Sequence, residues 1–249
     1  MRVVLVIPAR FSSTRFPGKP LADLLGRPVI QHVYEQASSL KVVDRVIVAT
    51  DDERIMKVVE RFSGEAHLTS NRARTGSDRV AELARRMKAE LFVNLQGDEL
   101  LLDTEMLVPL IDLFLKKKSL LVGSLKRSLE SEKDIKNPNI VKVVSDRKDF
   151  ALYFSRAPIP FFRDRSIPLP LKNIYQHLGV YIYRRQPLLE FSDWPTGTLE
   201  DFEQLEQLRF LENGYRIKLL ETQGRSLRID TPEDLKTAEA VLSQKERSQ

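Results

Sequence analysis

Apolar runs rich in β-branched residues alternate with amphipathic segments along the first half of the chain. The runs are continuous, as is typical of strands covered on both faces, and they predict strands at Val3–Ile7, Val46–Ala49, Leu91–Asn94 and Leu120–Gly123. The intervening apolar residues recur at three- and four-residue spacing and predict helices at Pro28–Ala37, Glu53–Phe62, Ser77–Met87 and Thr104–Leu115. This order favours a doubly wound, mainly parallel α/β sheet with right-handed crossovers.

The pattern changes from about Asn137. Three predicted strands follow one another without helices between them, which indicates an antiparallel insertion; they lie at Ile140–Val144, Ala151–Phe154 and Tyr175–Tyr183. The α/β style then returns with a helix over Leu199–Leu211, a strand over Ile217–Leu220 and a helix over Pro232–Leu242. We expect one domain, residues 1–249, with an insertion at about 125–190.

Two segments of this second half carry finer predictions. In Tyr175–Tyr183 the alternation places His177 and Tyr181 on one face, and the pattern alone favours packing of the aliphatic face on the core, with the polar aromatic face toward solvent or a dimer partner. In the helix over Leu199–Leu211, Leu199, Phe202 and Leu205 have the spacing of core residues, and we expect the acidic residues to be solvated.

Composition excludes several classes of protein. The chain has no cysteine, so it cannot form disulfides, thiolate zinc sites or iron–sulfur clusters. No apolar run approaches the roughly 18 residues that span a bilayer, and we expect a soluble, cytoplasmic protein without membrane insertion. The net charge of +5 is mild for 249 residues. The glycines are too widely spaced for G-x-G-x-x-G or the P-loop motif.

The segment after the first strand, residues 8–20, carries three cations, three hydroxyls and a glycine between prolines. Ligands of parallel sheets bind at the carboxyl ends of strands, and a polyphosphate needs cationic side chains together with backbone N–H donors. Composition alone supports either a phosphate-binding loop or an ordinary basic surface loop.

Two aspartates are candidate metal ligands. Asp98 closes the run that contains the predicted strand Leu91–Asn94, and it is either a ligand or a turn residue that bonds its own backbone. Asp230 precedes a helix start in which Thr231 is the predicted N-cap and Pro232 the first helical residue, so local helix chemistry does not need it. Carboxylates beside a phosphate loop imply Mg²⁺.

The chain resembles the 3-deoxy-manno-octulosonate cytidylyltransferases, or CMP-Kdo synthetases, along nearly its whole length. The residues that carry the resemblance are Ile7–Arg10, Ser13–Pro20, Ala49–Asp51, Thr75–Arg79, Asn94–Glu99, Asn137–Asn139, Tyr153–Ala157, His177–Tyr181, Leu205–Arg209 and Asp230–Leu235. The sequence departs from the family pattern at Leu100, where proline is usual, and at Arg228, where glycine is common. Both positions flank the metal-ligand candidates. Leucine at position 100 lacks the rigid turn that proline would give, and Arg228 either adds charge near the site or faces water.

The resemblance implies a Rossmann-like, three-layer nucleotide-diphospho-sugar transferase fold, with the antiparallel insertion used to form a homodimer. It implies binding of CTP by Ala9, Arg10, Ser12, Ser13, Lys19, Thr75, Gly76, Ser77, Arg79 and Gln96. It implies binding of Kdo by Gln96, Arg156, His177, Tyr181, Glu206 and Gln207. Asp98 and Asp230 become the Mg²⁺ ligands, for two ions in the ternary complex, and Lys19, Arg10 and Arg15 join them as catalytic residues. The Thr75–Arg79 segment also indicates a helix start, with Ser77 as its predicted N-cap.

The implied reaction is transfer of CMP from CTP to the anomeric hydroxyl of Kdo, with release of pyrophosphate, for lipopolysaccharide biosynthesis. An alternative substrate is a related sugar acid, 8-amino-Kdo or an acylneuraminate. A remote alternative is a basic, non-catalytic nucleotide- or nucleic-acid-binding module. The cations cluster with carboxylates and hydroxyls instead of forming a stripe, so we expect no nucleic-acid partner.

Overall fold

The computed structural model describes residues 1–12, 15–101, 103–164 and 170–247. Within these ranges the strands are β1 (Val3–Ala9), β2 (Asp23–Leu24), β3 (Arg27–Pro28), β4 (Arg45–Thr50), β5 (Ala66–Leu68), β6 (Leu91–Leu95), β7 (Glu99–Leu101), β8 (Val122–Ser128), β9 (Lys142–Ser145), β10 (Ala151–Ser155), β11 (Tyr175–Arg184), β12 (Ile217–Glu221) and β13 (Ser226–Arg228). The α-helices are α1 (Val29–Ser38), α2 (Glu53–Arg61), α3 (Gly76–Arg86), α4 (Val108–Lys116), α5 (Glu132–Lys136), α6 (Arg185–Asp193), α7 (Thr198–Glu203), α8 (Leu208–Glu212) and α9 (Pro232–Arg247).

The chain divides into two compact units. The first unit comprises Met1–Glu105 and Gly224–Gln249, and the second comprises Met106–Gln223. The second unit is therefore inserted into the first, with wider bounds than the predicted insertion at 125–190. No helix in the described part of the chain is both long and apolar enough to cross a membrane.

The first unit is built on four parallel strands in the order β5, β4, β1, β6. Every residue of β1 is buried, as a strand covered on both faces requires. The chain moves outward from β1 through β4 to β5 and then returns to β6 on the other side of β1. Right-handed crossovers therefore place α1 and α2 on one face and α3 on the other. This confirms the predicted doubly wound α/β arrangement and puts its switch point between β1 and β6.

The second unit has a mixed sheet centred on β8 and β11, which pair antiparallel. β9 pairs antiparallel with β10 and β11, and β12 adds a parallel edge beside β8. A register shift interrupts the pairing of β11 with β8 between Leu178 and Tyr181. The antiparallel character predicted for this region is confirmed.

The helix predicted over Leu199–Leu211 is wrong as one element, because Gln204 takes a left-handed conformation (φ +52°) and separates α7 from α8. Phe202, predicted to lie in the core, is 81% exposed. The acidic face is not simply solvated either, since Glu200 is buried and pairs with the fully buried Arg209 (Nε to Oε2, 2.6 Å). Spacing located the helical region but could not show that a buried ion pair reverses its polar and apolar faces.

The pattern-based prediction for the aromatic face of β11 is also wrong. His177 and Tyr181 do share a face, with ring centroids 5.2 Å apart. Tyr181 and Tyr183 are nevertheless buried. Tyr183 stacks on Phe210 of α8 at 5.5 Å, and Phe210 continues the cluster to Phe191 at 4.6 Å. Aromatic packing within the second unit covers this part of the strand.

Candidate active site

A cleft of about 270 Å³ opens in the first unit at the carboxyl ends of β1 and β6. This is the edge at which open α/β sheets bind ligands, beside the switch point. Cations, carboxylates and backbone atoms line it, from Pro8, Ala9, Arg10, Ser12, Arg15, Lys19, Pro20, Ala73, Arg74, Thr75, Gly76, Arg79, Gln96, Gly97, Asp98, Arg228 and Asp230. Most of the predicted nucleotide-binding residues are therefore brought together, whereas Ser13 lies outside the described residues. Ala73 and Arg74 were missed, although their signal was the basic stretch that leads into Thr75.

The loop after β1 is closed on itself by one glycine. Gly18 N donates to Phe11 O at 2.9 Å, and Gly18 has a φ of +71°, where a side chain is strained. Arg54 of α2 lies over the Phe11 ring, 3.4 Å from its centroid, and is itself held by Asp52. The closure leaves Arg10, Ser12 and Arg15 exposed along the cleft.

Gly97 allows the carboxyl ends of β1 and β6 to meet. Its N–H donates to Pro8 O at 3.1 Å, and a Cβ at this position would lie 2.9 Å from that same oxygen. The turn continues with a hydrogen bond from Glu99 N to Gln96 O at 3.0 Å. Leu100, which departs from the family pattern, is fully buried in β7 and pairs with Leu227 of β13. The rigid turn is thus replaced by strand pairing.

The antiparallel ribbon of β7 and β13 brings the two candidate metal ligands together. Glu99 pairs with Arg228, and one step further Ile229 N donates to Asp98 O at 2.9 Å. Lys19 lies between the two aspartates, where its Nζ bonds Asp98 Oδ2, Asp230 Oδ1 (3.1 Å) and Ile229 O (3.1 Å). Three residues far apart in sequence thereby form one buried charge cluster.

Asp230 is also bound from the side of the cleft. Its Oδ2 is 3.0 Å from Arg15 Nη2 and 3.1 Å from Arg228 Nε. Burial alone raises the pKa of the Asp230 carboxyl, but the charges of Arg228, Lys19 and Arg15 outweigh it and hold the pKa below its usual value. Asp230 is therefore ionised at neutral pH. The sequence left open whether Arg228 adds charge near the site or faces water, and the structure shows that it adds charge to the site.

The donor set fits a divalent cation that is shared with substrate. Within the described ranges no three acidic or histidine side chains gather as a metal cage. Two carboxylates, Asp98 and Asp230, instead converge on one cationic group, the Lys19 ammonium. Mg²⁺ typically takes one or two carboxylates and completes its shell with water and phosphate oxygens. Asp98 and Asp230 could hold Mg²⁺ in that way.

The Thr75–Arg79 segment, predicted to bind CTP, is the start of α3. Thr75, not Ser77, is the N-cap: its hydroxyl accepts from Asp78 N at 3.2 Å, and Asp78 accepts from Thr75 N at 2.9 Å. The prediction erred because the capping box lies two residues earlier than the spacing suggested. Ser77 is fully buried and accepts from Asn94 Nδ2 at 3.4 Å, away from the cleft lining.

Gly76 and Arg79 give the start of α3 its position at the cleft. A Cβ on Gly76 would fall 2.8 Å from Gln96 Nε2, so only glycine admits this approach without displacing the amide. Arg79 is buried and donates to Asp51 Oδ2 at 2.6 Å and Thr69 Oγ1 at 2.8 Å. It thus ties the start of α3 to the segments that follow β4 and β5.

The predicted sugar-acid residues other than Gln96 belong to the second unit. Arg156 donates to three backbone carbonyls, those of Glu203 (2.7 Å), Pro138 (3.0 Å) and Gln204 (3.2 Å). These bonds join the end of β10 to the Asn137–Asn139 turn and to the linker between α7 and α8. Arg156 therefore supports the segment that leads to Glu206 and Gln207.

The side chains of His177 and Tyr181 are neutral hydrogen-bonding groups. Enclosure of the ring lowers the pKa of His177 to about 3, so the imidazole is uncharged at neutral pH. Its edge is packed by Phe154, with ring centroids 4.9 Å apart. Tyr181 OH donates to Gln207 Oε1 at 2.9 Å. The structure thus groups three of the predicted sugar-acid residues within one side-chain network.

Comparison with known proteins supplies the family. Residues 4–219 match the cytidylyltransferase family model. The 3-deoxy-manno-octulosonate cytidylyltransferase of Trichlorobacter lovleyi is 49% identical over 98% of this chain and 100% of its own. That of Thermodesulfovibrio yellowstonii is 49% identical over 98% of this chain and 99% of its own.

A solved structure agrees with the sequence relatives. CMP:2-keto-3-deoxy-manno-octonic acid synthetase complexed with CTP superposes with a TM-score of 0.91 at 38% identity, over 98% of this chain and 100% of the other. A glucose-1-phosphate thymidylyltransferase from Bacillus anthracis, described as putative in its own name, shares the fold with a TM-score of 0.65 at 14% identity. The chain belongs to the 3-deoxy-manno-octulosonate cytidylyltransferase family of nucleotidyltransferases.

Proposed function

We propose that this chain transfers CMP from CTP to the anomeric hydroxyl of Kdo, giving CMP-Kdo and pyrophosphate. The observation that carries the proposal is the charge cluster in the cleft, where Lys19 joins Asp98 to Asp230 while Arg10 and Arg15 stay exposed beside it. A triphosphate requires this combination of accessible cations and carboxylates able to share a metal ion.

The protein promotes this reaction by positioning the substrates and by stabilising negative charge. The anomeric oxygen forms a bond to the α-phosphorus of CTP, the bond from that phosphorus to the α,β-bridging oxygen breaks, and pyrophosphate leaves. The hydroxyl proton passes to solvent. Negative charge grows on the leaving oxygens, and Arg10, Arg15 and Lys19 stabilise it. Ion pairs with Asp98 and Asp230 hold Arg15 and Lys19 in place before the reaction. The backbone of Ala9, the hydroxyls of Ser12 and Ser13, and the start of α3 orient the nucleotide.

We propose Asp98 and Asp230 as the ligands of Mg²⁺. When bound, one such ion lowers the pKa of the attacking hydroxyl and a second neutralises the triphosphate. Before any cation arrives, the Lys19 ammonium offsets the mutual repulsion of the two carboxylates. The two carboxylates are thereby held on one cation without a metal.

The second unit supplies the sugar-acid contacts in this proposal. Arg156, His177, Tyr181, Glu206 and Gln207 act there. His177 is neutral, so it contributes a hydrogen bond and no charge. Arg156 holds the linker between α7 and α8, which carries Glu206 and Gln207.

The test is an assay of pyrophosphate release with CTP, Mg²⁺ and one sugar acid at a time. We expect turnover with Kdo to exceed that with 8-amino-Kdo or an acylneuraminate. Asp98→Ala should lower turnover by about a hundredfold or more at every Mg²⁺ concentration, as when a preorganised charge stabiliser is removed.

The matched control for this assay is Asp103→Ala. Asp103 is exposed and accepts from Arg225 N at 3.0 Å, so it anchors the same ribbon without touching Lys19. Near-normal turnover of Asp98→Ala would exclude Asp98 as a ligand. Salt-dependent binding to nucleic acid with no turnover would contradict the enzyme assignment.

We also propose that the enzyme acts as a cytoplasmic homodimer. The absence of cysteine makes the chain independent of an oxidising compartment. Light scattering on the purified protein measures the oligomeric state directly, and the mass of a single chain, 28.7 kDa, at micromolar concentration would contradict the dimer.

A further inference from the structure

Three polar atoms of β11 converge on the hydroxyl of Ser124, a completely buried residue of β8. Ser124 Oγ is 2.6 Å from Val180 O, 3.2 Å from Leu178 O and 2.8 Å from His177 Nε2. These contacts fall at the register shift of β11 between Leu178 and Tyr181. Such irregularities in a strand commonly re-aim a side chain, and this one sets the imidazole of His177 against the serine.

The hydroxyl has a single hydrogen, and the carbonyl oxygens around it can only accept. If Ser124 donated to His177, its oxygen would face Val180 O at 2.6 Å with no hydrogen between them, which is a repulsive contact. Ser124 therefore donates to Val180 O. His177 Nε2 must then carry the ring hydrogen and donate it to Ser124 Oγ.

The state of the other ring nitrogen follows from this assignment. A neutral imidazole carries one N–H, so Nδ1 of His177 is an acceptor. His177 is neutral because enclosure lowers its pKa to about 3. Among the described residues, the only hydrogen bond of the His177 ring is the one to Ser124. Nδ1 is thus available to a ligand.

A complementary donor lies in the same side-chain network. Tyr181 OH donates to Gln207 Oε1, and Gln207 Nε2 is buried with no hydrogen-bond partner in the described part of the chain. Buried amide donors without partners are rare. An acceptor on His177 and a donor on Gln207 suit hydroxyl groups, which both donate and accept. A carboxylate, which only accepts, has no use for Nδ1.

We propose that Ser124 is a positioning residue that fixes His177 in the Nε2–H tautomer, so that Nδ1 accepts a hydrogen bond from a hydroxyl group of the sugar acid. The contact between Nδ1 and the sugar acid rests on the proposed function, whereas the tautomer of His177 is a property of the free protein. Ser124 itself touches no substrate.

The tautomer is measured by ¹⁵N-resolved NMR of the imidazole rings at pH 7, where the three histidines of the chain allow complete assignment. His32 is an internal reference, because its Nε2 lies 2.7 Å from Leu24 O and must also carry the hydrogen. We expect His177 to show the Nε2–H signal that His32 provides as a reference, and to have Nδ1 unprotonated. A His177 spectrum with Nδ1–H, or with both nitrogens protonated, overturns the proposal.

Ser124→Ala tests the positioning role, with Ser128→Ala as the matched control. Ser128 lies on the same strand but is only half-buried, and its hydroxyl donates to Lys172 O at 3.1 Å. Ser124→Ala removes the hydrogen bond that fixes the tautomer, so we expect KM for Kdo to rise about tenfold in this variant. KM for CTP should not change, and the His177 spectrum should become a mixture of tautomers.

Ser124→Thr, which keeps the hydroxyl, should restore the single tautomer and most of the affinity for Kdo. The proposal is overturned if Ser124→Ala keeps a pure Nε2–H tautomer and a normal KM, or if KM rises equally for both substrates. If Ser124→Ala does not fold, the spectrum of the wild-type protein still shows which nitrogen of His177 carries the hydrogen and so tests the proposal. Absence of turnover with Kdo would contradict the proposed function and leave the tautomer result standing.

Discussion

The two units place their charges differently. In the first unit Arg10, Arg15 and Arg228 of the cleft remain accessible, and the side chain of Arg15 is 51% exposed although it pairs with Asp230. In the second unit the side chain of Arg209 is 0% exposed and bonds Glu200 through two nitrogens, at 2.6 and 2.5 Å. An accessible cation can exchange its carboxylate for a phosphate, whereas a buried pair can only hold the fold together.

This contrast assigns different consequences to similar substitutions. Removing a cation from the cleft should lower catalysis more than stability. Removing one from the interior of the second unit should do the reverse, because an unpaired buried carboxylate is costly. Three predictions, ordered by the size of the expected effect, test the distinction.

Arg209→Met should lower the free energy of unfolding by about 3–5 kcal/mol, because it leaves Glu200 buried without its partner. Chemical denaturation followed by circular dichroism measures the change. The double variant Glu200→Gln/Arg209→Met should recover much of the loss. Arg216→Met is the control, since the Arg216 pair with Asp146 is largely exposed and worth about 0–1 kcal/mol. Equal losses in the two single variants would contradict the contrast.

Lys19→Met should lower kcat/KM by about a hundredfold or more, because Asp98 and Asp230 lose the cation that joins them and the cleft loses a positive charge. The expected loss of unfolding free energy is smaller than for Arg209→Met, since Arg15 and Arg228 still bind Asp230. Steady-state kinetics and chemical denaturation on the same sample compare the loss of kcat/KM with the loss of unfolding free energy. Lys57→Met, on the exposed surface of α2, serves as the control. A variant that unfolds but keeps its activity per folded molecule would break the distinction.

Arg228→Gly restores the residue common in the family and should have the smallest effect. Arg228 helps to depress the pKa of Asp230, and a depressed carboxyl contributes stability that is present above its unfolded pKa and lost as pH falls through its folded pKa. Without Arg228 the folded pKa of Asp230 moves back toward the ordinary value of an aspartate, 3.8, so acid unfolding should begin at a slightly higher pH. The pair is half-exposed, so stability at pH 7 should change by no more than about 1 kcal/mol. Acid unfolding of Arg228→Gly at a lower pH than the wild-type protein would contradict the predicted direction of the shift.

The sequence was sufficient where local pattern decides structure. The β–α alternation placed β1, β4 and β6 to within two residues, although it missed the short strands β5, β7 and β13. Thr231 caps α9 as predicted, with Asp234 N donating to its hydroxyl at 3.2 Å. The end of the predicted strand placed Asp98 at the cleft, and the capping pattern showed that the helix does not need Asp230. These features depend on neighbours close in sequence.

The missed features depend on partners that are distant in sequence or on backbone conformations without a strong signal. Nothing local indicates that Lys19 would lie between two aspartates rather than reach freely toward phosphates. The left-handed Gln204 that divides the helix is not a glycine, and the burial of Glu200 requires Arg209. The structural places of these residues emerge only when the chain is folded.

The ribbon of β7 and β13 also has a consequence for the synthesis of this protein on the ribosome. Asp230 lies 211 residues after Lys19, beyond the whole of the inserted second unit. A ribosome therefore completes the parallel strands of the first unit and all of the second before it supplies the carboxylate that finishes the cleft. A nascent chain can fold most of its mass while it still lacks half of the acidic pair, so the C-terminal segment sets the moment at which the enzyme becomes competent to bind its nucleotide.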